Sequence, residues 1–214
     1  MTINERYKNV LGWFRENMKI AETELDYTND FQLLVAVILS AQCTDKRVNM
    51  ITSELFADYP DAKTMSCAEP EVIYEYIKSC TYPNSKAKHI SLTSKMLVNE
   101  YNCTVPDDVD KLQKLPGVGR KTAHVIASVL FRQPKMPVDT HVYRVSARIG
   151  LTHNAKNVLQ SEKQLVKHIP QKDIPDAHHW LILHGRYICT ARNPRCSSCG
   201  LSAFCKFYQQ NKNK

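Results

Sequence analysis

The spacing of apolar residues predicts helices along most of the chain. Apolar positions recur three and four residues apart, and no segment shows the strict two-residue alternation of a half-buried strand. Residues 31–41 are apolar on nearly every side, which is typical of a helix buried at the centre of a domain. Asp30 and Thr44 stand where the N-caps of this helix and the next one are expected. The pattern therefore predicts an all-α fold.

Length and composition place the chain among ordinary globular proteins. Its 214 residues allow one or two domains, and 43% hydrophobic and 23% charged residues exclude a disordered or collagen-like chain. The most apolar run, residues 31–41, is too short to cross a bilayer, which takes about 20 residues. The first residues carry scattered charges and no apolar signal-peptide core. We therefore expect a cytoplasmic protein without a membrane partner.

Positive charge is concentrated in two segments. The formal net charge is +8, yet residues 1–110 contain more acidic than basic side chains. Residues 111–148 carry eight Lys or Arg and one acid, and residues 186–214 carry six Lys or Arg and no acid. Clustered cations of this kind indicate a polyanionic partner such as nucleic acid. Charge alone is equally compatible with a merely basic surface.

Four cysteines crowd together near the C-terminus in the pattern C-x6-C-x2-C-x5-C. A chain without a signal peptide is not expected to use them for disulfides. The four thiolates would repel one another unless a metal centre neutralised them, so zinc and an iron–sulfur cluster are the candidates. Zinc sites usually use two C-x2-C pairs, and only one is present, so the spacing favours iron–sulfur. The candidate ligands are Cys189, Cys196, Cys199 and Cys205.

A glycine-containing turn, Leu-Pro-Gly-Val-Gly-Arg-Lys-Thr at residues 115–122, lies between two predicted helices. It lacks the preceding strand and third glycine of a dinucleotide loop, and also the spacing of a P-loop. Gly117 and Gly119 let backbone N–H groups approach a phosphate closely, the start of the second helix attracts an anion, and Arg120 adds positive charge. The turn therefore predicts sequence-independent phosphate binding.

Two residues of the basic stretch are candidates for catalysis. Lys121 falls in the first turn of the second helix, where the helix dipole favours the neutral amine, the nucleophilic form. From spacing alone, a phosphate-binding role for Lys121 is at least equally supported. Asp139 is the only acid of the stretch, and its simplest role is that of a helix N-cap. Capping and catalysis are compatible in one carboxylate.

Four motifs together resemble a known family. They are LSAQCTD at 39–45, LPGVGRKTA at 115–123, VDTHVYRV at 138–145 and the four-cysteine loop, in this order. Over nearly its full length the chain resembles the endonuclease III family, DNA glycosylases with AP-lyase activity. The cysteine spacing matches the family pattern at every interval.

The resemblance implies a helix–hairpin–helix glycosylase fold with two helical domains and a cleft between them. Residues 22–132 would form a six-helix barrel that carries the hairpin. Residues 1–21 and 133–214 would form a second helical domain with a [4Fe-4S] cluster. Damaged double-stranded DNA would lie across the cleft, and a monomer associated with the nucleoid is expected.

The resemblance also implies roles for individual residues. Lys121 corresponds to the lysine that attacks C1′ of an oxidised pyrimidine nucleotide, forms a Schiff base and nicks the strand by β-elimination. Asp139 corresponds to the aspartate that assists proton transfer. Gln42 corresponds to the residue that fills the space left by the flipped nucleotide. Further DNA contacts are expected at Tyr82, Gly117, Gly119, Arg120, Thr140, His141, Arg192 and Arg195.

The chain departs from the family pattern at a few positions. Tyr82 and Pro83 stand where a Leu-Tyr pair often supplies a second wedge, and Tyr82 is expected to take that role by stacking. Asn193 stands where a lysine is common, which removes one charge from the cysteine loop.

Two other functions would share parts of this pattern. Adenine glycosylases of this fold carry a catalytic Glu on the helix at 31–41, and here no carboxylate lies between Asp30 and Asp45. A non-catalytic DNA-binding protein with a structural metal loop would also have the hairpin and the basic segments. The presence of both Lys121 and Asp139 favours the enzyme.

Overall fold

The computed structural model of the chain describes residues 1–212. The predicted second domain extends to residue 214, and its residues 213 and 214 lie outside this range. The described residues form helices and no strands, which confirms the all-α prediction. No helix among them combines the length and the apolar character that a bilayer span requires. The α-helices are α1 Ile3–Asn17, α2 Asp30–Ser40, α3 Asp45–Asp58, α4 Ala62–Ser66, α5 Pro70–Ile77, α6 Pro83–Glu100, α7 Val109–Lys114, α8 Arg120–Phe131, α9 Thr140–Ile149, α10 Val158–His168, α11 Ile174–Tyr187 and α12 Lys206–Asn211.

The chain divides into two compact units, each with its own apolar core. One unit contains residues 24–131 and the other contains residues 1–23 together with the segment from residue 132 onward. The first unit, described throughout, holds the seven helices α2 to α8. The shortest of them is the five-residue α4, which Asp61 caps by accepting a hydrogen bond from Thr64 N at 2.8 Å.

Helix α2 forms the centre of the unit at residues 24–131. All nine residues from Phe31 to Leu39 are buried, as the apolar pattern predicted. The predicted N-cap was wrong by one position. Asn29 is the cap, and its side chain accepts a hydrogen bond from Gln32 N at 2.9 Å, while Asp30 is the first helical residue. An acid in this position still interacts favourably with the helix dipole. Thr44 caps α3 as predicted.

The other unit is built around α9 and α11, which pack together, with α1 against α11. Helix α1 buries Tyr7, Val10, Leu11 and Phe14, an i, i+3, i+4, i+7 stripe. The Phe14 ring stacks on Trp180 of α11, with ring centroids 5.6 Å apart. Residues distant in the sequence thus share one core, so the N-terminal helix belongs structurally to the C-terminal part of the chain.

Candidate functional site

The turn between α7 and α8 depends on a glycine. Gly117 has φ +80°, a left-handed conformation that side chains disfavour, and a Cβ atom there would lie 2.9 Å from the Cβ of His89. The neighbouring Leu115 and Val118 are buried and fix the turn to the core. Gly119 faces open space, since no atom lies within 4 Å of the place its Cβ would occupy. The turn is therefore rigid at Gly117 and accessible at Gly119.

Lys121 lies in the first turn of α8, as predicted, and is exposed. Arg120 beside it is exposed too, and this turn contains no acidic residue. The first N–H groups of an α-helix lack carbonyl partners within the helix, so the start of α8 attracts an anion. Backbone donors, Arg120 and the amine of Lys121 thus share one small surface.

Asp139 is the N-cap of α9. Its Oδ1 accepts a hydrogen bond from Val142 N at 2.8 Å, and the residue is half-buried. The capping role predicted for it is therefore present in the structure. A carboxylate has a second oxygen that accepts hydrogen bonds, so the cap fixes the orientation of the group without using all of it.

The next two residues have different surroundings. Thr140 is exposed, whereas His141 is half-buried. The His141 Nδ1 atom lies 3.2 Å from Arg144 Nη2, and a Cβ at Gly185 of α11 would lie 3.0 Å from His141 Cβ. His141 therefore packs between α9 and α11.

Gln42 and Tyr82 are brought close together within the unit at residues 24–131. Thr81 Oγ1 donates a hydrogen bond of 2.6 Å to the carbonyl oxygen of Gln42. Both Gln42 and Tyr82 are exposed, and both have left-handed backbones, with φ values of 55° and 54°. Non-glycine residues adopt this conformation rarely and at a cost, and such residues cluster at functional sites.

The four cysteines of the loop at 189–205 line one open pocket. Their thiols form no disulfide. Burial raises the pKa of Cys199 and Cys205, and the neighbouring thiols raise it further. Four thiolates in this cavity therefore require a positive centre.

The donor set of this pocket suits an iron–sulfur centre. Four cysteine side chains line it, and four cysteine thiolates are the usual ligands of a [4Fe-4S] cluster.

Two arginines that the sequence did not single out hold this loop. Arg148 of α9 donates from Nη1 to Thr190 O and from Nη2 to Ala191 O, both at 2.7 Å. Arg144, one turn earlier, donates from Nε to Cys189 O at 3.1 Å. Their spacing of four residues, which puts both on one helix face, was the available signal.

Arg192 and Arg195, the cationic residues predicted in the loop, are exposed. Arg195 also lines the cavity, and its backbone N–H donates to Ile188 O at 2.9 Å. The loop therefore presents two positive side chains to solvent while its backbone is tied to α9 and to the end of α11.

Comparison with known proteins identifies the family. A model of the HhH-GPD superfamily of base excision DNA repair proteins matches residues 35–171, and a model of the iron-sulfur binding domain of endonuclease III matches residues 189–205. Endonuclease III of Rickettsia felis is 48% identical over 196 residues, which cover 91% of each protein. Endonuclease III of Escherichia coli K12 is 44% identical over 204 residues, covering 94% of this chain and 95% of that protein.

Solved structures agree. A trapped covalent intermediate of endonuclease III with DNA matches over the full length of both chains, with a TM-score of 0.91 and 40% identity. A thermostable thymine-DNA glycosylase, 21% identical with a TM-score of 0.84, shares the fold. These matches confirm the predicted glycosylase fold and the [4Fe-4S] cofactor. The chain belongs to the endonuclease III family, the bifunctional DNA glycosylases and AP lyases of base-excision repair.

Proposed function

We propose that this protein removes oxidised pyrimidines from duplex DNA with Lys121 as nucleophile and Asp139 as the proton-transfer group. The observation that carries the proposal is the exposed Lys121 in the first turn of α8, directly after a turn whose geometry requires Gly117. An accessible amine beside a phosphate-binding turn can reach the sugar of a nucleotide bound there. The substrates would include thymine glycol, other ring-saturated or fragmented pyrimidines, and abasic sites.

The reaction uses one amine for two bond cleavages. The Nζ lone pair of Lys121 attacks C1′, the bond from C1′ to the base breaks, and the base leaves with the bonding electrons and a proton. Opening of the sugar gives an imine between Nζ and C1′. Loss of a proton from C2′ then expels the 3′ phosphate, and water releases the sugar from Lys121. Asp139, oriented by its cap to Val142, assists the proton transfers and stabilises the developing positive charge.

The target base must leave the stack before Lys121 can reach C1′. We propose that Gln42 fills the vacated space and that Tyr82 stacks beside it, since both are exposed on adjoining loops. The backbone at Gly117 and Gly119 and the Arg120 side chain would bind phosphates on one segment of the strand. Phosphates would also be contacted by Arg192 and Arg195, with Thr140 and His141 near the target nucleotide.

The four cysteines would hold a [4Fe-4S] cluster, whose positive iron centre neutralises their thiolates and fixes the loop. Arg144 and Arg148 secure the first part of that loop from α9. In this proposal the loop serves DNA binding by presenting Arg192 and Arg195. The protein would act as a monomer in the cytoplasm, associated with the nucleoid.

Product analysis on a duplex with a single thymine glycol tests the proposal. The wild-type protein is expected to release the base and to nick the strand at the lesion, and to leave an undamaged duplex intact. Lys121→Ala should lose both products while still binding the duplex. Lys114→Ala, which removes a positive charge from the last turn of α7, is the matched control and should retain both. Base release without nicking by the wild type would contradict the bifunctional mechanism.

A further inference from the structure

A buried lysine lies behind the two loops that carry Gln42 and Tyr82. Lys86, in the first turns of α6, is only 5% exposed. Lysine is seldom buried, because removing an ammonium from water is costly unless its donors are satisfied. Here the Nζ atom donates to Leu39 O at 2.8 Å and to Ala41 O at 2.7 Å, and it lies 3.6 Å from Cys80 Sγ. The three N–H donors of the ammonium thus have three partners.

These contacts supply hydrogen-bond donors to carbonyl groups at the C-terminal end of α2. The last carbonyl groups of a helix lack donors within the helix and carry its partial negative charge. Lys86 supplies donors to two carbonyls of this end, those of Leu39 and Ala41. The backbone N–H of Cys43 supplies Ser40 O at 3.0 Å. The chain leaving α2 is therefore held at the carbonyls of Leu39, Ser40 and Ala41, directly before Gln42.

The same lysine also fixes the second loop. Its own helix, α6, starts directly after Tyr82, and its contact with Cys80 Sγ reaches the residues before Tyr82. Cys80 Sγ in turn lies 3.5 Å from Leu39 O, and Thr81 Oγ1 bonds to Gln42 O. One ammonium thus links both loops, each of which contains a strained left-handed residue.

We propose that Lys86 is a positioning residue that couples the Gln42 and Tyr82 loops into one rigid wedge for extruding the damaged nucleotide. The inference rests on the proposed function of those two residues. A left-handed non-glycine residue persists only when its surroundings hold it there. The buried Lys86 ammonium provides that support and does not itself contact the nucleotide. Loss of the ammonium would let both loops relax, because it removes a donor from the buried Leu39 carbonyl and from the carbonyl of Ala41.

A double-mutant cycle between Lys86→Met and Gln42→Ala tests the coupling. Methionine keeps the length and burial of the side chain and removes the charge. We expect Lys86→Met to slow single-turnover excision of thymine glycol by about tenfold to a hundredfold, as small misplacements at a site can. In the Lys86→Met background, Gln42→Ala should cause little further loss. If the fold-losses of the two single variants multiply in the double variant, the proposal is overturned.

Abasic sites provide a second readout that general destabilisation would not change. An abasic nucleotide has no base to unstack, so its extrusion depends less on a wedge. Lys86→Met should therefore impair nicking of a preformed abasic site much less than excision of thymine glycol. Equal impairment on both substrates would show a structural role only. Lys86→Arg, which keeps the charge and the donors, should restore part of the thymine glycol activity.

Lys95→Met is the matched control, because it removes a charge from a half-buried position on the same helix, where Lys95 pairs with Glu69 at 3.8 Å. It should behave as the wild type on both substrates. If Lys86→Met does not fold, Thr81→Val takes its place in the cycle, since it removes only the bond to Gln42 O at an exposed position. Absence of nicking by the wild type on abasic sites would reject the proposed function, whereas an additive cycle in an active enzyme would reject only the role of Lys86.

Discussion

The hairpin turn and the cysteine loop are held in shape by different means. The shape of the turn at residues 115–119 depends mainly on its own backbone. Gly117 adopts a left-handed conformation, and Val118 N donates to Leu115 O at 3.0 Å. In the loop at residues 189–205, side chains from elsewhere and a cofactor are needed. Arg148 binds two of its carbonyls, and the pocket lined by its cysteines is the proposed cluster site.

Because of this difference, the two regions are expected to lose their structure after different changes. The turn is encoded locally, so it should survive the loss of the cofactor and respond to single backbone changes. The loop has few large apolar residues and contains only the short 3-10 helix Cys196–Ser198. It should lose its shape when a cysteine is removed.

The largest expected effect comes from Cys199→Ala. Removing one of the four proposed cluster ligands should release most of the iron and unfold the loop, since metal binding and folding of such loops are coupled. Iron content and hydrogen exchange of residues 189–205 measure this, and exchange of residues 115–123 should stay unchanged. Cys67→Ala, at an exposed free thiol, is the control. A fully loaded Cys199→Ala protein would contradict the ligand assignment.

Next in size is Asp139→Asn. Asparagine caps a helix about as well as aspartate, so the free energy of unfolding should change by less than about 1 kcal/mol. Excision of thymine glycol should fall by about 10²- to 10⁴-fold, the usual contribution of a general acid or base. Thermal unfolding and single-turnover excision, measured on the same preparation, separate the two roles. A large loss of stability with equal loss of activity would instead indicate a purely structural Asp139.

Acid should destabilise the unit that contains α11. Burial lowers the pKa of His179 to about 4, Asp176 opposes this shift, and Arg132 and Arg186 add to it. An unfolded histidine takes up its proton near pH 6.5, so between those values the unfolded state binds more protons. Stability is therefore lost as the pH falls from 6.5 towards 4, by about 1.4 kcal/mol for each pH unit.

Urea unfolding at pH 7 and pH 5 measures this loss. His179→Gln should reduce the difference between the two pH values, because glutamine does not titrate. The exposed His153, changed to Gln, should leave the difference as in the wild type. An unchanged difference in His179→Gln would show that other groups cause the acid sensitivity.

The smallest expected effect is in the turn itself. Gly117→Ala should cost about 1–2 kcal/mol for the left-handed backbone, and its methyl group would press against His89. Gly119→Ala is the matched partner, since its methyl group meets open space and stability should hardly change. If a phosphate approaches Gly119 closely, this variant should still bind duplex DNA more weakly. Unfolding and DNA-binding titrations of both variants distinguish a change in the turn's conformation from the loss of a phosphate contact. Unaltered DNA binding by both variants would contradict the phosphate-binding role of the turn.

The features that were predictable from the sequence are those that depend on residues close together in the chain. The all-round apolar run at 31–41 identified the buried helix, and the close clustering of four cysteines with uneven spacing indicated the cluster loop. The boundary error at Asp30 arose because Asn29 and Asp30 are both good N-caps, and only the backbone conformation decides between them.

Contacts between distant residues were not predictable in the same way. Lys86 bonds to carbonyls 45 and 47 positions away, and Arg148 bonds to Thr190 42 positions away. A lysine one position before the buried Ala87 gives only a weak signal, because lysine in a helix is ordinarily exposed. The partners of such residues are backbone atoms, which carry no sequence signature.

Borohydride trapping on a duplex with one thymine glycol tests the central claim, that Lys121 is the nucleophile, most directly. Reduction converts the imine between a lysine amine and C1′ into a stable bond. We predict a lesion-dependent protein–DNA adduct whose DNA-bearing peptide contains Lys121, and no adduct with Lys121→Ala in folded, cluster-loaded protein. An adduct of normal yield in Lys121→Ala, or its attachment to another lysine, would contradict the account.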